Sequence, residues 1–347
     1  MVNKAPGSWD KGRVRKALRH PGNRGSGRQL KLAGVVGSAF IVAALCMTWR
    51  FNSEMTAAHA RVALGSVLIA TRCGPIEYQE AGTGQPLLVV HGGGGGYDQG
   101  MAFASTLARS DIRVIAMSRF GFLRTPMPAD ASPSAQADAH VCLLDALGIR
   151  RAAVFGGSAG APSAMQLAIA HPERVSALIV LAPLVFKPGN VSDSAGPTSP
   201  WVNKVLGGLF ASDFLLWVGL QVAPTQLIKY VLGTPPQLVQ TASVQERTRV
   251  AAILANILPL SPRQEGIAGD MAVAAGLVSY PLESIRVPTL IMAARDDSFG
   301  TYANAQYTAN RIAGAKFIGF EDGGHAYVGH NDEVMAEISR LVKRVGP

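Results

Sequence analysis

From about residue 76 onward, short apolar runs rich in β-forming residues alternate with helical patterns. The runs are Leu87–Val90, Arg113–Met117, Ala152–Phe155, Ala177–Leu181, Pro288–Met292 and Lys316–Phe320. Helical patterns such as Met101–Ala108, Ala135–Leu147 and Ala161–His171 lie between most of them. Strands this uniformly apolar are buried on both faces. The pattern therefore predicts an α/β architecture, a mostly parallel twisted sheet covered by helices on both sides. The alternation breaks once, over about 185–283. A Gly-, Ser- and Pro-rich loop, Lys187–Pro200, opens this segment, and helical stretches follow around Trp201–Leu220, Pro224–Val231 and Val244–Leu258, punctuated by prolines at 235, 236, 259 and 262. A helical insertion between two sheet strands reads as a lid over one end of the sheet. Its most apolar patch (Phe210, Phe214–Val218 and Leu220) fits either packing on the body or a membrane-facing or acyl-binding surface.

The net charge of +9 raises the question of a nucleic-acid partner, but its location answers it. Residues 1–31 hold nine Lys and Arg against Asp10 alone, so the basicity belongs to a tail and the body is nearly neutral. A nucleic-acid partner is not expected, because such binding needs a basic footprint on the fold itself. Leu32–Trp49 follows without a charged residue and spans about 27 Å as a helix, close to the thickness of a bilayer core. The expected organisation is a basic cytoplasmic tail over 1–31, a signal anchor over 32–49, a polar linker over 50–69 and a folded domain over 70–347. Basic residues before the apolar stretch place the domain across the membrane, on the expected periplasmic side. Two alternatives stay open: a secretory signal cleaved at Ala58-His59-Ala60, and a buried soluble helix. Cys46 follows Leu45, a poor fit to a lipoprotein site. Cys142 sits in an apolar helical pattern and reads as a core thiol, with pairing to Cys73 undecided.

The chemistry concentrates in a few places. Gly156-Gly157-Ser158-Ala159-Gly160 lies between an apolar strand and a helical run. This is the context in which a sharp turn projects a serine hydroxyl from the carboxyl edge of a sheet. Such a hydroxyl needs a base to become nucleophilic. His325, after Gly323-Gly324 and the last apolar run, is placed to supply it, with His330 a lesser candidate. Asp296 and Asp297 follow the run Pro288–Met292. Either could hold the histidine while the other caps the next helix, and spacing alone does not choose. An oxyanion would need backbone N–H donors. Ala159 is one expected donor, and Gly93 is the other, in the run Gly92–Gly96 that follows the strand ending at Val90. Gly92, Gly156, Gly157 and Gly160 are expected to let backbone pass closely. No metal or cofactor is called for.

His91-Gly92-Gly93, Ser118-Arg119-Phe120-Gly121, the Ser158 turn, Arg295-Asp296-Asp297 and Gly323-Gly324-His325 together resemble the α/β-hydrolase superfamily over roughly residues 70–345. The resemblance implies a Ser158–Asp297–His325 triad, choosing the second Asp of the Arg-Asp-Asp run, and a structural role for the turn Ser118–Thr125. The serine argues against dehalogenases and epoxide hydrolases, which use Asp. The expected activity is hydrolysis of a carboxylic ester, or a related acyl bond, of a small to medium hydrophobic molecule through an acyl-enzyme. A cofactor-free peroxidase or C–C bond hydrolase on the same triad, or a non-catalytic binding protein of this fold, are the alternatives.

Overall fold

In the computed structural model, residues 26–186 and 200–346 are described. The expected loop Lys187–Pro200 thus falls almost wholly outside the described residues. Helix α1 (Ser26–Leu64) leads into β1 (Val67–Thr71), β2 (Gly74–Ala81) and β3 (Gln85–Val90). Then come α2 (Tyr97–Ala104), β4 (Ile112–Met117), α3 (Pro133–Ala146), β5 (Ala152–Gly157), α4 (Ala161–Ala170) and β6 (Val175–Leu181). The insertion carries α5 (Pro200–Leu209), α6 (Asp213–Val222), α7 (Pro224–Tyr230), α8 (Pro236–Thr241), α9 (Val244–Ala255) and α10 (Gln264–Ala275). The chain closes with β7 (Thr289–Ala294), α11 (Thr301–Arg311), β8 (Lys316–Phe320) and α12 (Asn331–Val345).

The eight strands form one sheet in the order β1-β2-β4-β3-β5-β6-β7-β8. β1 and β2 are antiparallel at one edge, and β3 through β8 pair in parallel. Every residue of β6 and of β7 is buried, as both-face coverage demands. One apolar cluster lies on each face. Leu88, Val154, Leu178 and Ile291 anchor the side covered by α3, α4 and α11, and Val89, Phe155, Ile179 and Met292 anchor the side covered by α12. α12 buries Val334, Met335, Ile338 and Val342, an i, i+1, i+4, i+8 stripe that faces the sheet.

Three expectations need correction. The segment read as a linker is helical as far as Leu64, because residues 50–64 contain no Gly or Pro and include the helix formers Ala57, Ala58, Ala60 and Ala63. Met55 and Val62 on it are buried. Cys142 is not a free core thiol, since on α3 it is bonded to Cys73 in the β1–β2 turn. The stretch Trp201–Leu220 is two helices, broken just before Asp213. Asp213 Oδ1 accepts the backbone N–H groups of Leu260 and Ser261, which anchors the start of α6 to another loop. The apolar patch divides: Leu216 and Trp217 are buried, while Phe214 and Leu215 are 39% and 44% exposed.

Candidate active site

Ser158 sits at the carboxyl end of β5, half-buried, with φ at +47°. A side chain in this left-handed region costs about 1–3 kcal/mol and persists only where the surroundings fix it. Here the surroundings do. The Leu184 N–H donates to the Ser158 carbonyl at 3.1 Å. Gly156 and Gly160 let neighbouring elements approach: a Cβ on Gly160 would lie 2.5 Å from the His91 carbonyl oxygen, and one on Gly156 would lie 2.6 Å from the Ala164 Cβ. Gly157 is less tight, with Phe155 ring atoms 3.2 Å from a Cβ placed there.

The loops after β7 and β8 meet at Asp297 and His325. His325 Nδ1 lies 2.7 Å from Asp297 Oδ2. The same carboxylate accepts the Phe299 N–H at 2.9 Å and the Thr301 hydroxyl. Burial pushes the Asp297 pKa up, but the His325 charge and these hydrogen bonds outweigh it and leave the carboxyl below its ordinary value. Asp296 does something else: its Oδ1 accepts the Gly324 N–H at 2.8 Å, securing the turn just before His325. The Phe299 ring packs edge-on against the imidazole at 4.9 Å. Lid residues complete the support, with the Thr234 hydroxyl accepting the Ala326 N–H at 3.0 Å and Arg249 donating to the Ala326 carbonyl at 2.8 Å. Among the described residues, the His325 ring is hydrogen-bonded to Asp297 and not to the Ser158 hydroxyl. Its ring orientation is set from the carboxylate side. His330 is elsewhere, with Nε2 2.9 Å from Asp322 on the exposed face of the same loop.

The glycine loop after β3 lies against Ser158. A Cβ on Gly92 would come within 3.3 Å of the Ser158 Cβ. The Gly92 N–H is taken by Gln99 Oε1 at 2.9 Å, whereas the N–H of Gly93 has no acceptor among the described residues. Gly93 is exposed, and a Cβ there would stand 4.0 Å from that of Ala159. Gly92 and Gly93 thus run alongside Ser158 and Ala159.

A family model described as the alpha/beta hydrolase fold matches residues 85–328, well over half the chain. This chain belongs to the α/β-hydrolase fold family. The solved α/β-hydrolase fold protein from Nakamurella multipartita superimposes with a TM-score of 0.64 at 25% identity, covering 81% of this chain and all of that one. An uncharacterized hydrolase, YcgS, of Bacillus subtilis is 26% identical over 73% of this chain and 88% of its own length. The 2-hydroxymuconate semialdehyde hydrolase of Pseudomonas putida is 37% identical, but over only 29% of this chain and 37% of that enzyme. With relatives of these kinds, the protein is a hydrolase.

Around the site of this α/β hydrolase lies a set of ion pairs that the motif reading passed over. Arg119, expected to be merely part of a turn, donates through Nε to the His91 carbonyl at 2.9 Å and through Nη2 to the Gly92 carbonyl at 3.2 Å. Its guanidinium also grips Asp270 of lid helix α10 with both nitrogens, at 2.6 and 2.8 Å. Its backbone N–H donates to His91 Nε2 at 3.0 Å, so Nδ1 carries the proton and donates to the Gly92 carbonyl at 2.7 Å. Burial, and then the Arg119 charge, hold His91 well below its ordinary pKa, consistent with this neutral form. Together these groups hold the carbonyls of His91 and Gly92 in place. Farther along the loop, fully buried Arg263 bonds the Gly95 carbonyl and pairs with Asp98 at 2.8 Å, and Asp98 also takes Arg61 of α1 at 2.6 Å.

Proposed function

We propose that this hydrolase cleaves a carboxylic ester, or a related acyl bond, of a small to medium hydrophobic substrate, with Ser158 as nucleophile, His325 as base and Asp297 as its partner. The observation that carries the reading is the 2.7 Å bond from His325 Nδ1 to Asp297, because it fixes the tautomer whose Nε2 accepts a proton. In the step proposed, a rotation about the Ser158 side chain brings its hydroxyl to Nε2. Catalytic hydrogen bonds tighten in this way once substrate is bound. Ser158 Oγ then attacks the acyl carbonyl as His325 takes its proton, and Asp297 stabilises the imidazolium. The N–H groups of Gly93 and Ala159 receive the oxyanion. His325 returns the proton to the leaving alcohol. Water, deprotonated by His325, frees the acid from the acyl-enzyme.

A second reading, C–C bond hydrolysis on the same residues, is favoured by the partial match to 2-hydroxymuconate semialdehyde hydrolase. The two separate in one experiment: p-nitrophenyl butyrate and a vinylogous 1,5-diketone are offered to the wild type and to Ser158→Ala. Ester turnover that vanishes in the variant supports the first reading. Ester turnover that persists at the wild-type rate sinks both.

We also infer that α1 tethers the enzyme. Helix α1 is long and apolar enough to cross a membrane, its uncharged stretch being Leu32–Trp49, and the basic tail before it favours a cytoplasmic N-terminus and an exported catalytic domain. The Cys73–Cys142 bond suits an oxidising compartment. Cleavage after Ala60 would remove Met55, which is buried, and Glu54, which accepts the Trp217 indole N–H at 2.6 Å. An uncleaved anchor keeps both. Recovery of the untagged protein wholly in the soluble cytosolic fraction would refute this topology.

A further inference from the structure

The last turns of α1 and the lid helices α6, α7 and α9 line an open-sided cavity of about 470 Å³, a size typical of ligand sites. Met55, Ala58, Trp217, Leu220, Ile228 and Leu254 give its wall a mainly apolar character, with Gln221 and Asn256 among its polar lining. The charged groups beside it are already engaged. Glu54 holds the Trp217 indole, and Arg61 is bound to Asp98 and to the carbonyls of Asn256 and Leu258. What the cavity offers is hydrocarbon, which favours an apolar occupant over water.

We propose that this cavity takes one alkyl chain of a membrane lipid. Its wall begins at Glu54, five residues after Trp49 closes the apolar segment. The covalent chain therefore keeps the cavity within about 18 Å of that segment's end. Helix α6, whose Trp217 and Leu220 line the cavity, also presents Phe214, Leu215 and Val222 to solvent, the last 74% exposed. The apolar surface thus continues from the cavity onto the outside of the lid, as a chain arriving from a bilayer requires. The wall is also tied to the catalytic loop. The Asn256 carbonyl accepts from both Arg61 and Arg263, and Arg263 holds the Gly95 carbonyl. Occupancy of the cavity therefore bears directly on the loop that carries Gly93. The inference rests on the tethering proposed above for the lipid's source.

The test uses full-length protein in which Trp9, Trp49 and Trp201 are replaced by Phe, leaving Trp217 as the reporter. The protein is reconstituted into phosphatidylcholine vesicles with plain or brominated acyl chains. Brominated chains are expected to quench most of the Trp217 emission. Filling the cavity with Ala251→Phe plus Ala255→Phe, or from the opposite wall with Ala58→Leu, is expected to abolish the quenching while circular dichroism stays unchanged. Absence of quenching, or equal quenching in folded variants of both walls, overturns the proposal. Quenching by a protein that hydrolyses no ester upholds the chain site and rejects the Ser158 reading.

Discussion

Asp297→Asn is the sharpest perturbation of the site, because its outcome follows from three hydrogen bonds. The native carboxylate accepts at Oδ1 from the Phe299 N–H and at Oδ2 from the Thr301 hydroxyl and His325 Nδ1. An amide has one accepting oxygen and one donating nitrogen. Placing the nitrogen at Oδ1 sets it against the Phe299 N–H, a fixed donor. Placing it at Oδ2 sets it against a hydroxyl that can rotate and an imidazole that can change tautomer. The second arrangement is the cheaper one, and it puts the His325 proton on Nε2, where it blocks proton transfer from Ser158. Loss of the correct tautomer, together with the imidazolium's counter-charge, costs on the order of 10⁴ in kcat, or about 5 kcal/mol of transition-state stabilisation. Asp296→Asn removes only a carboxylate acceptor for the Gly324 N–H, which the amide oxygen replaces, so its cost is within about tenfold. Steady-state hydrolysis of p-nitrophenyl butyrate by both variants decides. Asp296→Asn costing as much as Asp297→Asn, or Asp297→Asn staying within tenfold of wild type, refutes the assignment.

Three further outcomes follow from the surrounding structure. Burial, and then the Arg119 charge, push the His140 pKa down to about 3, whereas the unfolded chain titrates near 6.5. The contribution is therefore intact above pH 6.5 and is lost as pH falls toward 3, at about 1.4 kcal/mol per pH unit, because the unfolded chain takes up a proton that the native state refuses. Urea midpoints at pH 7 and pH 5 should show this loss, and His140→Gln should lessen it. Opening the Cys73–Cys142 bond, which spans 69 residues, should cost about 4 kcal/mol, read as a fall in Tm of Cys73→Ser under non-reducing conditions. Arg263→Gln leaves the Gly95 carbonyl without its charged donor and Asp98 with Arg61 alone, and should cost about 3 kcal/mol in urea unfolding.

The parallel part of the sheet was legible because each of its strands is a nearly continuous apolar run, and burial on both faces leaves that signature. β2 was not, since Gly74–Ala81 contains Glu77, a fully buried carboxylate. Ser66, Ser118 and Arg124 satisfy it from three other segments. The turn around Ser158 and the glycine run were visible as local patterns. The two aspartates were not separable by spacing, because what distinguishes them is the direction of the backbone after β7. Arg119 and Asp270 lie 151 residues apart, so no period or motif joins them. Their link appears only when the lid is folded down on the loop after β4. The extension of α1 to Leu64 was obscured by its polar residues, which looked like a linker but include the partners of Trp217 and Asp98.

The direct measurement is to treat the protein with a fluorophosphonate and map the modified peptide by mass spectrometry. A single adduct on the hydroxyl of Ser158, formed rapidly in the wild type and slowed by orders of magnitude in His325→Ala, is the predicted result. An adduct on any other side chain, or labelling of Ser158 at an undiminished rate without the imidazole, would contradict it.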